Sequence, residues 1–292
     1  MSELRERTAP EDVRRRVDVL LESLPYIREF AGATIVIKYG GAAMTAPELK
    51  ASFARDVALL RLVGMRPVVV HGGGPDISRY SERLDLPVRF EQGLRVTDEP
   101  TMELVKMVLV GKVNKEIVAQ LHVAGVEAVG LAGDDGGLIA AAKADGPADL
   151  GFVGRVEEIR PGVLEHLGSF VPVIASVGVD AEGQSYNINA DTVAGAIAAA
   201  LRARKVLFLT DVEGLRADAD DPASVISECR LGEIRAMLDG GGVQSGMIPK
   251  LGAVVEALSG GVEAAHIVDG RQPHSVLVEV FTEAGIGTKV TA

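Results

Sequence analysis

The chain has 292 residues, 47% of them hydrophobic and 24% charged, which is ample for a buried core in one large domain or two lobes. A formal net charge of -11 argues against a nucleic-acid partner, so any anionic ligand must be met by a few local cations and N–H groups. Cys229 is the sole cysteine, which excludes an internal disulfide and suits a small core residue; the five histidines lack metal-ligand spacing, so no protein metal site is expected.

No stretch reaches membrane-spanning length. The charged run from Glu3 to Arg7 lacks the apolar core of a signal peptide, so the expectation is a cytoplasmic protein with no membrane contact.

Residues 1–30 stand apart. Thr8 and Glu11 fit a capping box with Pro10 in the first turn. Val13, Val17, Leu20, Leu21 and Leu24 then repeat at helical spacing, and Pro25 is expected to close the helix. Its apolar stripe serves either its own domain or another subunit.

From Thr34 onward strands and helices alternate. Strands are expected at 34–39, 67–71, 126–131, 171–179, 205–210, 266–268 and 276–281. Helices are expected at 47–62, from Pro75, over 99–124 with Gly111 inside, and at 190–201 and 248–258. Strands separated by helices imply an α/β, three-layer αβα sandwich around a largely parallel sheet.

The 34 glycines gather in short turns, several straight after strands. Lys38-Tyr39-Gly40-Gly41 puts a lysine where open α/β sheets bind ligands, although a strand-end lysine often only reaches for solvent. His71–Asp76 (HGGGPD) joins a strand end to a helix N-terminus and suits an anion. It is neither a dinucleotide fingerprint nor a Walker A loop. An HGGG turn also builds the oxyanion hole of esterases, but the G-x-S-x-G elbow is absent.

Arg95 in GLRVT could clamp a carboxylate, or could be a solvated loop residue. Asn187 and Asn189 fall on one face by alternation, and Asn189 also suits an N-cap ahead of Asp191. Thr210-Asp211 ends another strand. Gly240–Lys250 (GGGVQSGMIPK) runs from flexible backbone into a helix whose first turn carries a lysine. Two Gly-plus-Lys sites, an Arg, paired Asn and a Thr-Asp together suit phosphoryl transfer, where positioning and charge neutralisation do the work.

In order and spacing, IVIKYGG, VVVHGGGP, GLRVT, NINAD, LTDVEG and SGMIPK resemble the amino acid kinase family, and within it the branch acting on N-acetyl-L-glutamate. The resemblance covers nearly all of the chain from Ile35 to Val290. It implies ATP-dependent phosphorylation of the side-chain carboxylate of N-acetyl-L-glutamate to N-acetyl-L-glutamyl 5-phosphate, the acyl-phosphate step of arginine biosynthesis. Residues 31–292 would form the kinase domain, with 31–180 the acetylglutamate-binding lobe and 181–292 the ATP-binding lobe.

By the family's pattern, Lys38 and Lys250 would stabilise the moving phosphoryl group, and Asp191 would hold both lysines. Gly73, Gly74, Arg95, Asn187 and Asn189 would bind the substrate. Gly40, Gly41, Thr210, Asp211, Ser245, Gly246 and Met247 would line the nucleotide site, with Mg²⁺ carried on ATP. The substrate carboxylate is already a nucleophile, so no catalytic base is required.

The N-terminal helix is similar to one that interlaces dimers of the arginine-inhibited branch into a hexameric ring. The tail His266–Gly287 resembles that branch's arginine-binding segment. This implies L-arginine as inhibitor, contacted by His266, Glu279 and Gly285 with Lys205 and Tyr26 nearby. A nitrogen-signalling protein docking on the ring is a candidate partner. Glu279 on an alternating strand could instead be solvated. One departure is Asp134, where many members carry a lysine. The competing readings are a kinase for aspartate, glutamate, carbamate or a nucleoside monophosphate, and a non-catalytic arginine sensor on the same fold.

Overall fold

The computed structural model describes residues 10–91, 93–145, 149–218, 221, 223–241, 243, 246–282 and 285–292. Helix α1 (Pro10–Phe30) leads into strand β1 (Thr34–Tyr39), and Pro25 lies inside the helix rather than ending it. An interior proline costs about 3 kcal/mol. Past it, Phe30 is buried and Tyr26 packs against the same core, and this burial offsets the loss. The expected capping box rests on Thr8, which lies outside the described residues.

The chain continues through α2 (Pro47–Leu62), β2 (Arg66–His71), α3 (Gly74–Arg83) and the two-residue strands β3 (Phe90–Glu91) and β4 (Leu94–Arg95). The long helix expected over 99–124 is present but changes pitch. α4 (Glu99–Lys106) passes into a π-helical stretch, Met107–Val113, and then α5 (Asn114–Val123). Gly111 lies inside this stretch on its exposed side, with open space where a Cβ would stand.

Next come β5 (Ala128–Leu131), β6 (Ile139–Lys143), β7 (Gly154–Ile159) and the single turn α6 (Gly162–Glu165). The strand expected over 171–179 is divided. β8 (Val171–Ala175) lies in the main sheet, and β9 (Val177–Val179) turns away at Ser176 to join another. A single serine within an otherwise apolar run is a weak signal for such a change of sheet.

β10 (Ser185–Asn187), α7 (Ala190–Ala200), β11 (Lys205–Thr210), β12 (Glu228–Arg230), α8 (Leu231–Asp239) and α9 (Ile248–Ser259) follow. The chain then runs through β13 (Ala264–Asp269), α10 (Ser275–Phe281) and β14 (Thr288–Thr291). The strand expected at 276–281 is therefore a helix. β14 occupies the place beside β13 in the sheet, so Val276 and Val280 bury themselves as one helical face instead.

Eight strands form the central sheet in the order β12-β14-β13-β11-β1-β2-β8-β5, parallel throughout except for the β13–β14 pair. Alternation along the strands feeds two cores. Ile35, Ile37 and Val69 pack with α2, α5 and α10 on one face, while Val36, Val68 and Phe208 pack with α7 and α9 on the other. The result is the expected αβα sandwich. A four-stranded sheet, β10-β9-β6-β7, stands beside it. Cys229 is buried and free, and burial pushes its thiol up to about 11. Among the described residues, no helix is long and apolar enough to cross a membrane.

Candidate active site

Three parallel strands, β11, β1 and β2, lie side by side, and the glycine turns leave from the carboxyl ends of β1 and β2. Lys38 from β1 and Lys250 from the first turn of α9 both reach Asp191 Oδ1, at 3.2 and 2.9 Å. Asp191 sits in the first turn of α7, which packs closely on α9. Burial works to raise the Asp191 pKa, but the Lys38 and Lys250 charges and their hydrogen bonds outweigh it and hold the carboxyl below its usual range. Burial lowers the Lys250 pKa, and Asp191 resists that fall. The two cations thus stand side by side because one anion lies between them.

Lys38 and Asp191 line a cavity of about 290 Å³ whose wall includes Gly40, Gly41 and the Gly72–Gly74 turn. Gly41 has φ +61°, a conformation that side chains rarely adopt. Gly73 is needed for a different reason: a Cβ there would come within 2.6 Å of Leu109 Cδ2.

Arg95 occupies the same cavity and is only 7% exposed, so it is not a solvated loop residue. Its Nη2 donates to the Gly74 carbonyl at 3.1 Å and to Ser78 Oγ at 2.6 Å, and its guanidinium lies 4.7 Å from the centre of the Phe90 ring. Its buried Nη1 has no hydrogen-bond partner among the described residues. A buried guanidinium with one free fork suits an incoming carboxylate.

Asn187 and Asn189 also border the cavity. The Asn187 amide donates to Thr97 Oγ1 at 3.1 Å. Asn189 is the N-cap of α7, accepting from the Asp191 N–H at 2.8 Å.

On the other side of Lys250, Met247 is the N-cap of α9 with Gly246 before it. Thr210 and Asp211 share a 3.2 Å hydrogen bond, and the Asp211 charge acts on Lys250. Ser245 lies outside the described residues, as do Gly242 and Gln244. Asp134 lies 3.8 Å from Lys106, which gives it a local counter-ion.

Sequence reading missed Ser78 and Phe90, and it quoted Thr97 within GLRVT without giving it a role. β3 and β4 are too short to show periodicity, which hides Phe90. Ser78 had one available signal: it stands one helical turn after Gly74 and so on the same face of α3.

The residues expected to hold arginine also converge. Tyr26, Lys205, His266, Glu279 and Gly285 all line a second cavity of about 620 Å³, between α1, α10 and the β13–β14 side of the sheet. His266 Nδ1 lies 2.6 Å from Glu279 Oε1, and the Ile286 N–H donates to Glu279 Oε2 at 2.9 Å. Burial keeps His266 neutral, while burial of Glu279 is overcome by these donors, which hold it ionised. Glu279 is therefore a buried carboxylate on a helix, not an exposed one on a strand.

Fold and site together define an α/β phosphoryl-transfer enzyme. Residues 33–269 match the model of the amino acid kinase family, and the chain belongs to that family. Over 281 residues it is 55% identical to the acetylglutamate kinase of Symbiobacterium thermophilum, covering 93% of this chain and 96% of that one. It is 54% identical over 287 residues to the acetylglutamate kinase of Heliobacterium modesticaldum, with 94% and 97% covered. Among solved structures it resembles N-acetylglutamate synthase from Neisseria gonorrhoeae complexed with coenzyme A and N-acetyl-glutamate. That match has a TM-score of 0.83 at 25% identity and covers 94% of this chain; the chain spans 63% of the synthase.

Proposed function

We propose that the chain transfers the γ-phosphoryl group of ATP to the side-chain carboxylate of N-acetyl-L-glutamate, giving N-acetyl-L-glutamyl 5-phosphate and ADP in arginine biosynthesis. The observation that carries this is Lys38 and Lys250 paired on Asp191, with Lys38 and Asp191 lining a cavity that Arg95 also lines. Names of relatives above half identity point to the same acceptor.

A carboxylate oxygen attacks the γ-phosphorus while the bond to the β-phosphate oxygen breaks. No proton moves, so no base is required. Lys38 and Lys250 neutralise charge as it spreads over the phosphoryl oxygens, and Asp191 keeps them in place. Gly73 and Gly74 offer N–H groups. Arg95 grips the α-carboxylate, and Asn187 holds the acetamido group with Asn189 beside it. Gly40, Gly41, Thr210, Asp211, Ser245, Gly246 and Met247 form the nucleotide side.

The site's facing groups are lysines and N–H donors, which fit phosphate oxygens; Mg²⁺ then comes with ATP, held mainly by its phosphates and water. Residues 31–180 act as the acetylglutamate lobe, 181–292 as the ATP lobe, and the enzyme works in the cytoplasm.

L-arginine is the inhibitor, bound in the cavity of Tyr26, Lys205, His266, Glu279 and Gly285. Residues 1–30 join dimers into a hexamer, which leaves a ring on which a signalling protein can dock. The exposed Val17, Leu20 and Leu21 of α1 support such a partner for that helix.

The test is ADP release with N-acetyl-L-glutamate, L-glutamate, L-aspartate and carbamate in parallel, with and without arginine. Turnover that needs N-acetyl-L-glutamate and falls with arginine is expected. Turnover with glutamate alone would sink the assignment. Light scattering of a chain lacking residues 1–24 tests the ring: an unchanged mass refutes it.

A further inference from the structure

His71 is fully buried at the end of β2, and the transfer described above gives it no part. Its ring bridges two elements. Nδ1 lies 2.9 Å from the Gly72 carbonyl oxygen, and Nε2 lies 3.0 Å from Asn114 Nδ2. A carbonyl oxygen only accepts, so Nδ1 carries the proton. Burial is the main cause that lowers the ring's pKa to about 4, and Lys115 is the charged group that adds to the fall. Nε2 therefore presents a lone pair at neutral pH.

Asn114 is held to meet that lone pair. Its Nδ2 also lies 2.8 Å from the Val173 carbonyl and 3.3 Å from the Leu131 carbonyl. Three acceptors around one atom identify that atom as the nitrogen. Asn114 follows directly on the π-helical stretch, whose wider turn sets where α5 begins. Gly130 leaves it room: a Cβ there would stand 1.8 Å from Asn114 Oδ1.

The consequence lies in one peptide unit. The Gly72 carbonyl and the Gly73 N–H belong to the same trans peptide, so they point in opposite directions. Anchoring the carbonyl on His71 aims the N–H away from the ring. Among the described residues the Gly73 N–H meets no protein acceptor. Leu109 and Val113 of the π-helical stretch close on Gly73 from the side and limit its rotation.

We propose that Asn114 is a positioning residue: through the His71 ring it sets the rotation of the Gly72–Gly73 peptide, and so aims the Gly73 N–H at the phosphoryl group in transfer. The inference rests on the kinase reading above. A misaimed donor is felt most where charge has developed, so its loss falls on kcat rather than on KM.

The first test is kinetic and uses the full chain. Asn114→Ser is expected to lower kcat by about tenfold or more, with both KM values held within roughly threefold. His71→Leu, which removes both the Nδ1–H and the link to Asn114, is expected to lose at least as much as Asn114→Ser. Turnover of Asn114→Ser near the wild-type value, or a raised KM at constant kcat, overturns the proposal.

The second test does not depend on activity or on how the variants fold. Nitrogen-15 NMR of wild-type histidines, assigned through bonds to the backbone, is expected to show the His71 ring neutral and Nδ1-protonated from roughly pH 6 to 8. An Nε2-protonated or charged His71 overturns the proposal. A wild-type chain without N-acetyl-L-glutamate-dependent ADP release overturns the kinase reading instead, while the spectrum still reads the ring.

Discussion

Lys250 donates to Asp191 Oδ1 at 2.9 Å, and both side chains are buried. Lys38 meets the same oxygen, so a single carboxylate offsets two cations. Leaving a buried charge unpaired costs about 3–5 kcal/mol, which makes Asp191 the residue on which both lysines depend.

Asp191→Asn removes that offset. Lys250, already lowered by burial, then loses its proton at a lower pH than in the wild type. The expected outcome is a fall in kcat of roughly a hundredfold or more, with the alkaline limb of the pH–rate profile displaced toward neutrality. Steady-state rates across pH check both. An unmoved alkaline limb would show that Asp191 does not sustain the charge of Lys250.

Arg95→Lys tests the proposed carboxylate clamp. Lysine keeps the charge but loses the fork that anchors on Gly74 and Ser78 while leaving Nη1 free. The KM for N-acetyl-L-glutamate is expected to rise by about ten- to a hundredfold, the loss of one charge-assisted hydrogen bond. The KM for ATP should change little. Equal increases in both would place Arg95 outside the acceptor side.

Much of this site is legible in the sequence. Glycines beside a lysine, or between a strand and a helix, have few other physical reasons to exist, so KYGG and HGGGP marked two walls of the cavity. The burial of Arg95 was not legible, because it depends on Phe90, held by a pairing of only two residues per strand. The convergence on Asp191 was not legible from spacing either, since it needs α7 and α9 packed together above β1. The misread segment 276–281 has the same kind of cause. Its β-branched alternation is real, but the neighbouring place in the sheet is taken by β14, a fact that local sequence cannot carry.

Asp56 provides a stability test away from both cavities. It lies on α2, its Oδ1 is 2.6 Å from His274 Nδ1, and the Val276 and Leu277 N–H groups at the start of α10 donate to it. Burial nevertheless dominates and pushes its carboxyl up to about 6. A carboxyl raised in the folded state favours folding below its unfolded pKa of about 4, and that contribution is lost as pH rises through about 6. The loss is on the order of 3 kcal/mol. Asp56→Asn should therefore gain in Tm relative to the wild type as pH rises across this window. A constant difference in Tm from pH ~4 to ~7 would mean that Asp56 is not raised.

The second cavity makes the last test electrostatic. Glu279 is ionised, buried, and already bonded to His266 and to the Ile286 N–H. It is thus a fixed anion that would need no reorganisation to meet the guanidinium of the proposed inhibitor. Lys205 in the same wall is lowered by burial and sits 4.6 Å from the Phe30 ring, where the π face shares its charge. Glu279→Gln keeps the shape and removes the charge. Because a hydrogen bond to a charged group contributes about 1.5–3 kcal/mol, half-inhibition should then need about ten- to a hundredfold more arginine. Titrating arginine against ADP release measures it. An unchanged inhibition curve would move the inhibitor elsewhere, and would leave the His266–Glu279 pair as a strut holding α10 against β13.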